Sequence, residues 1–143
     1  MQHFTELKVW RRSHQLVLEV YRSSHRFPDD ERFGVTSQLR RAVVSVPSNI
    51  AEGSKRQYPK DYARFLNIAE ASLSETEYLV ILCQDLGYVA PESAEQFRRE
   101  VDEISRMLNS LRQRVEATVP RLSLIHISEP TRLLRRSRMP SSA

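Results

Sequence analysis

Apolar residues along this chain recur at intervals of three and four, and the breaks between those rows divide it into four amphipathic segments. In the first, Leu7, Trp10, His14, Val17 and Tyr21 share one face, widened by Leu18 and Val20, which predicts a helix from about Thr5 to His25. Thr5 is its expected N-cap, a partial one because Lys8 sits where a capping-box acid would. Phe27-Pro28-Asp29-Asp30 ends the segment, since Pro28 disfavours a helical Phe27. A second helix is predicted from Thr36 or Ser37 to Glu52, with Leu39, Val43, Val46 and Ile50 as its apolar row and Gly53 at the place of a left-handed C-terminal cap. Pro47 lies in its interior, where the missing donor and the clash with the Val43 carbonyl predict a kink or a meeting of two shorter helices.

Ser54 to Tyr58 reads as a short polar link. Pro59 then fits the first turn of a third helix, where Asp61 meets the positive dipole end, and Gly87 stops that helix after Leu86. Phe65, Ala69, Ser72, Thr76, Leu79 and Cys83 share one of its faces, flanked by Ile68, Leu73, Val80 and Leu86. The fourth helix is predicted from Pro91 to Val119, stopped by Pro120, with Phe97, Val101, Ile104, Leu108, Leu111, Val115 and Val119 in a four-three row. Links this short require neighbouring helices to run antiparallel. No stretch alternates with period two. The expectation is an all-α fold, an antiparallel up-down four-helix bundle with a Pro-kinked second helix, in one domain over residues 1–121.

The 143 residues, 40% hydrophobic and 28% charged, suffice for one core. No apolar run reaches the ~18 residues of a membrane span, and Met1 to Lys8 lack the basic, apolar, small-residue order of a signal peptide. The single Cys83 suits a reducing compartment, so the expected location is the cytoplasm, with no membrane partner. The net charge of +4 is mostly a property of the last 22 residues, where Arg132, Arg135, Arg136 and Arg138 face Glu129 alone. The first 121 residues hold 18 bases and 17 acids. Their charge is uneven: residues 1–64 carry 12 bases and 7 acids, residues 65–121 carry 6 and 10. That asymmetry reads either as a basic face that attracts phosphate or as charge pairing between helices or subunits. Leu122-Ser-Leu-Ile-His-Ile-Ser-Glu-Pro-Thr-Arg132 resembles a translated transposase mosaic-end sequencing adapter, so residues 122–143 are expected to be a non-native, disordered tail; the other reading is a native basic tail that binds polyanions.

Catalytic constellations fail in turn, and no catalytic residue, metal ligand, cofactor or small-molecule substrate is assigned. Gly34, Gly53 and Gly87 are too far apart for a dinucleotide fingerprint or a phosphate loop. Bundle di-metal sites want a glutamate three residues before a histidine, but Arg11 precedes His14 and Arg22 precedes His25 at that spacing. Cys83 lies on an apolar row, as a buried thiol would, and His14 reads as a partly buried core histidine. Glu70, Glu75 and Glu77 do not converge on one helix face.

The run Ser37-Gln-Leu-Arg-Arg-Ala-Val-Val-Ser-Val-Pro-Ser-Asn-Ile-Ala-Glu-Gly53 closely resembles the hallmark stretch of the bacterial four-helix bundle family named for proteins encoded in 23S rRNA intervening sequences. Leu7-Lys-Val-Trp10, Phe27-Pro28, Asp61-Tyr-Ala-Arg-Phe-Leu-Asn-Ile-Ala69, Ser72-Leu-Ser-Glu75, Tyr78 and Asp85-Leu-Gly-Tyr88 fit it too, so the likeness covers about residues 4 to 115. Ala71 and Thr76 depart from it, standing where many relatives have glycine and an aliphatic residue. The family includes the accessory variability protein of diversity-generating retroelements, a homopentameric barrel that binds nucleic acid and a reverse transcriptase. The resemblance therefore implies a non-catalytic, ring-forming bundle, with a homopentamer, RNA or DNA, and a reverse transcriptase as its partners.

In the hallmark itself, Pro47, Ser48, Asn49, Glu52 and Gly53 read as a structural motif, with Asn49 and Glu52 placed to serve backbone groups freed by the proline and Ser72 and Ser74 placed to complete a polar network. The candidate nucleic-acid contacts are the surrounding bases Arg40, Arg41, Lys55, Arg56, Lys60 and Arg64, which a five-fold ring would repeat. Tyr58 and Tyr62 lie among them, either to close the helix–helix groove, the favoured reading, or to stack on nucleotides. The expected function is nucleic-acid binding through this basic surface; the alternative is a protein–protein adaptor that binds no nucleic acid.

Overall fold

A computed structural model describes residues 2–119. The expected tail from Leu122 onward and Pro120 lie outside the described residues, and the fourth helix ends at Glu116, short of the expected Val119. A 3₁₀ turn at Phe4–Glu6 leads into α1 (Lys8–Ser24); a second, at Asp29–Glu31, precedes α2 (Val35–Ser54), which is followed by α3 (Pro59–Asp85) and α4 (Pro91–Glu116). No strand occurs among the described residues. Contacts between Arg40 and Ser24, Ser45 and Ser72, Arg112 and Glu70, and Arg12 and Glu100 run from early to late along successive pairs of helices. The fold is the antiparallel up-down four-helix bundle.

The rows of α2 and α4 form the core. Leu39, Val43, Val46 and Ile50 share a single buried cluster with Ile104 and Leu108 and with Leu66, Ala69, Leu73, Leu79, Val80 and Cys83 of α3. Each such aliphatic side chain contributes about 1.5–3 kcal/mol on leaving water. Ile68 and Leu86, expected to flank the α3 face, are exposed instead.

In α1 the buried stripe is rotated from the expected one. Val9, Ser13, Leu16, Val17, Val20 and Ser24 are buried, whereas Leu7 and Trp10 lie at the margin and Tyr21 is exposed. Two serines hid this stripe. Their hydroxyls are satisfied within the helix, Ser13 donating to the Val9 and Trp10 carbonyls (both 2.9 Å) and Ser24 to that of Tyr21, so small polar residues occupy core positions at little cost. Thr5 is not the N-cap either: it lies in the 3₁₀ turn, its N–H bonded to His3 Nδ1, and Leu7 caps α1 with no side-chain bond.

α2 passes through Pro47 as one unbroken helix. Gly53 is not a left-handed cap, since it lies within α2 and Gly87, at φ +83°, is the glycine with positive φ. Glycine is needed at 53 because α3 comes too close for anything larger: a Cβ there would stand 2.8 Å from Phe65 Cβ and 3.0 Å from Tyr62 Cδ1. The polar residues beside Pro47 also act differently from the expectation. Asn49 donates to the Ser45 carbonyl (2.7 Å) and hydroxyl (2.9 Å), not to the Val43 carbonyl that the proline deprives, and Ser45 bonds Ser72 across the helix pair at 2.7 Å. Ser74 is exposed, Ser48 is exposed, and Glu52 pairs with Arg56 on the surface.

At the end opposite the α2–α3 turn, Glu31 joins two loops. One carboxylate oxygen accepts from the Val35 N–H at the start of α2 (3.2 Å), the other from the Tyr88 hydroxyl (2.8 Å). That bond raises the Tyr88 phenol above its ordinary value, with burial adding to it. Of the four neighbouring helix pairs, α1 and α4 pack least closely. Their seam holds two clefts, of about 530 Å³ over Leu16 and Phe97 and about 310 Å³ over Val9 and Leu111. Arg12 crosses the seam with a forked bond to Glu100 at 3.1–3.2 Å.

The α2–α3 approach generates a direct test. Gly53→Ala gains helix propensity of about 1 kcal/mol, but overpacking against Phe65 and Tyr62 costs about 1–3 kcal/mol and is expected to dominate. Urea denaturation should show a lower midpoint for this variant.

Candidate nucleic-acid interface

The link between α2 and α3 is tight. The Lys55 N–H bonds the Glu52 carbonyl, the Arg56 N–H bonds that of Gly53, and the Tyr58 carbonyl accepts from both Asp61 and Tyr62 at 3.1 Å. Pro59 supplies the first residue of α3. Lys55, Arg56, Gln57 and Tyr58 are thus all driven outward. Phe65 organises the bases on either side: the Arg56 guanidinium lies 4.7 Å from its ring centroid and that of Arg64 4.9 Å. Arg56 also pairs with Glu52 (2.8 Å) and Arg64 with Asp61 (3.9 Å). Lys55 sits 5.8 Å from the Phe4 ring, beside an aromatic ladder in which Phe4 meets Trp10 and Trp10 stacks on His14. His14 is half-buried there. Lys60 is exposed and, among the described residues, has no carboxylate within 4.0 Å.

Antiparallel packing brings further bases to this end, from the start of α1 and the end of α4. Residues 2–14, 47–72 and 105–119, which together form it, hold ten bases and five acids; residues 15–46 and 73–104, at the other end, hold seven and twelve. The asymmetry that sequence order presents as first half against second half is therefore a polarity along the bundle axis. Lys8, Arg11 and Arg114 belong to the basic end, and sequence reasoning missed all three because they are remote from the hallmark stretch. The available signal was topological: an up-down bundle places the start of its first helix and the end of its fourth beside the α2–α3 turn.

Arg40 and Arg41 lie elsewhere. Fifteen residues separate Arg40 from Lys55 along α2, about 22 Å. Arg40 is half-buried in the α1–α2 contact, its Nε donating to Ser24 Oγ at 2.8 Å and its guanidinium 4.6 Å from the Tyr21 ring. Arg41 is exposed beside a shallow polar groove with Glu75, Ser45 and Ser72. The structure brings together four of the six expected bases.

The two tyrosines also separate. Tyr62 is half-buried against the core, where burial raises its phenol and the Arg114 charge opposes that rise. It closes the helix–helix groove. Tyr58 is 61% exposed.

Reactive groups do not converge. Among the described residues no group of three or more His, Cys, Asp or Glu could hold a metal ion, and no helix is long and apolar enough to cross a membrane. Cys83 is fully buried, which pushes its thiol up to about 11, the Glu31 charge adding to the effect. The folded protein thus keeps the proton that the unfolded chain loses near 9, so this residue's contribution to stability is full below pH 9 and declines as pH rises towards 11. Iodoacetamide at pH 8 is expected to leave Cys83 unmodified in the native protein and to alkylate it in urea, as mass spectrometry would read.

Comparisons with known proteins bear on the family and the fold. The family model described as 23S rRNA-intervening sequence protein matches residues 5–110. A crystal structure from Bacteroides thetaiotaomicron, of a protein with unknown function from the S23 ribosomal protein family, is similar at a TM-score of 0.67 and 26% identity, covering 72% of this chain and 96% of that one. Among curated proteins no match was found.

Proposed function

Since the chain belongs to the 23S rRNA-intervening sequence protein family, we propose that it is a non-catalytic homo-oligomeric bundle, a pentamer by resemblance, that holds nucleic acid on its basic end. The observation that carries this reading is the excess of bases where α2 turns into α3, with Lys55 and Lys60 free of carboxylate partners among the described residues and Arg64 beside them. Phosphates are the natural counter-charge for such a surface, and binding to them is governed by ion release rather than base sequence. Through it the protein would serve as accessory to a reverse transcriptase or act from within an rRNA intervening sequence, the two settings that the resemblance implies.

Assembly has its own support. The outward side of α3 carries Ile68, Ala71 and Tyr78 at helical spacing, all exposed and covered by no other element; Ile68 is 39% and Tyr78 60% accessible. A second copy would remove this stripe from water. A ring would then present several basic ends to one strand, raising the effective concentration of each weak contact.

Anisotropy titration of a labelled RNA, repeated between about 50 and 200 mM salt, tests the binding. The unaltered protein is expected to lose affinity steeply as salt rises. Lys55→Ala/Lys60→Ala/Arg64→Ala should weaken binding at every salt and flatten the log–log slope by about one per contact removed, whereas Arg40→Ala should keep the affinity and lower the melting temperature. Salt-independent binding, or an unchanged triple variant, overturns the assignment to this surface, and absence of binding by the unaltered protein favours a protein adaptor. For assembly, light scattering should report five copies, and Ile68→Glu/Tyr78→Glu should yield monomers; a monomeric unaltered protein overturns the ring.

A further inference from the structure

Resting on that reading, we infer that the groove between the α2–α3 turn and the end of α4 receives one unpaired base of a single-stranded nucleic acid, with Tyr58 as stacking platform and Arg56 and Arg114 beside the flanking phosphates. The groove measures about 260 Å³, with Tyr62 and Val115 in its wall. That is just below the about 300–1,000 Å³ of pockets for drug-sized ligands, a size suited to a base alone rather than to a larger cofactor.

Tyr58 has the properties a platform needs. Its backbone is fixed on both sides: it is the N-cap of α3, its carbonyl holds the Asp61 and Tyr62 N–H groups, and Pro59 follows. Its ring contributes nothing to the core and has no aromatic partner among the described residues. A large, rigid, wet aromatic face beside cations is what an unstacked base requires. Tyr62, four residues on, is held in the helix–helix groove and forms wall instead of platform.

The two arginines approach from different parts of the fold, Arg56 from the α2–α3 link and Arg114 from α4. Arg56 has its fork held in place by Glu52, and one such contact leaves the other guanidinium N–H groups available. Arg114 comes from α4; it touches Ser110 at 3.3 Å and, among the described residues, has no carboxylate within 4.0 Å. Its charge is near enough to Tyr62 to act on that phenol. One cation partly neutralised and one free, both lining the groove that Tyr58 borders, match a base with phosphates flanking it. A base in a duplex is already stacked and paired, and must be extruded before it can enter.

The test compares a labelled single strand of about twenty nucleotides without self-pairing and the duplex made from it, both at one salt concentration. Tyr58→Ala is expected to weaken single-strand binding about five- to a hundredfold while leaving duplex binding and the salt slope as they were. Tyr58→Trp should retain the single-strand affinity. Tyr58 is exposed, so an unchanged melting temperature should accompany both variants. If the unaltered protein binds both forms and Tyr58→Ala changes neither, or lowers both alike, the pocket is overturned and the basic surface stands. If the unaltered protein binds neither, nucleic-acid binding itself is overturned, and the pocket with it.

Discussion

The close approach of α2 and α3 at Gly53 is the constraint from which the functional end of the molecule follows. With no Cβ at 53, the backbone of α2 rests against Phe65 and Tyr62, and this fixes where α3 begins relative to the end of α2. The link between them is then too short to fold inward, so its charged residues have no course but outward. Phe65, held against the glycine by its Cβ, offers its ring to guanidinium groups from the link and from α3. The same contact that closes the core therefore spaces the surface cations. Farther along the pair, Ser45, Asn49 and Ser72 add hydrogen bonds beside the apolar contact of Val46, Ala69 and Leu73.

Much of the fold was legible in the sequence because two helices declare themselves without ambiguity. The central rows of α2 and α4, Leu39 to Ile50 and Phe97 to Leu111, are apolar and buried as the spacing selects, although Thr36 and Ser54 join the buried side of α2 and Val115 and Val119 are only partly covered. α1 was harder. Its inner stripe includes Ser13 and Ser24, which periodicity scores as polar although both hydroxyls are satisfied locally. α3 is apolar on more than one side, so spacing alone could not tell the inward Leu73 from the outward Ile68.

The candidate site was legible only in part, and the failure has a geometric origin. Arg40 and Arg41 seemed to belong with Lys55 because all flank the hallmark stretch, but a helix converts fifteen residues into a long axial separation. Arg114 looked unrelated, being 58 residues from Arg56 in the chain, yet both border the same groove. A one-dimensional charge census mixes the two ends of every antiparallel helix. Only after folding does the excess of bases separate from the excess of acids, as a dipole along the bundle. The opposite, acidic end is also the one fastened by Glu31 and Tyr88, so loops are tied down there while the basic end relies on a single tight turn.

The forked Arg12–Glu100 contact has a mechanical consequence. α2 and α3 form a spine, and α1 and α4 lie against it like the covers of a book, meeting along a seam with a cleft on each side of that one ionic clasp. A clasp on the surface is weak and is weakened further by dissolved ions. The molecule thus has a built-in line of parting: under load it would splay between its first and last helices while the spine stayed shut.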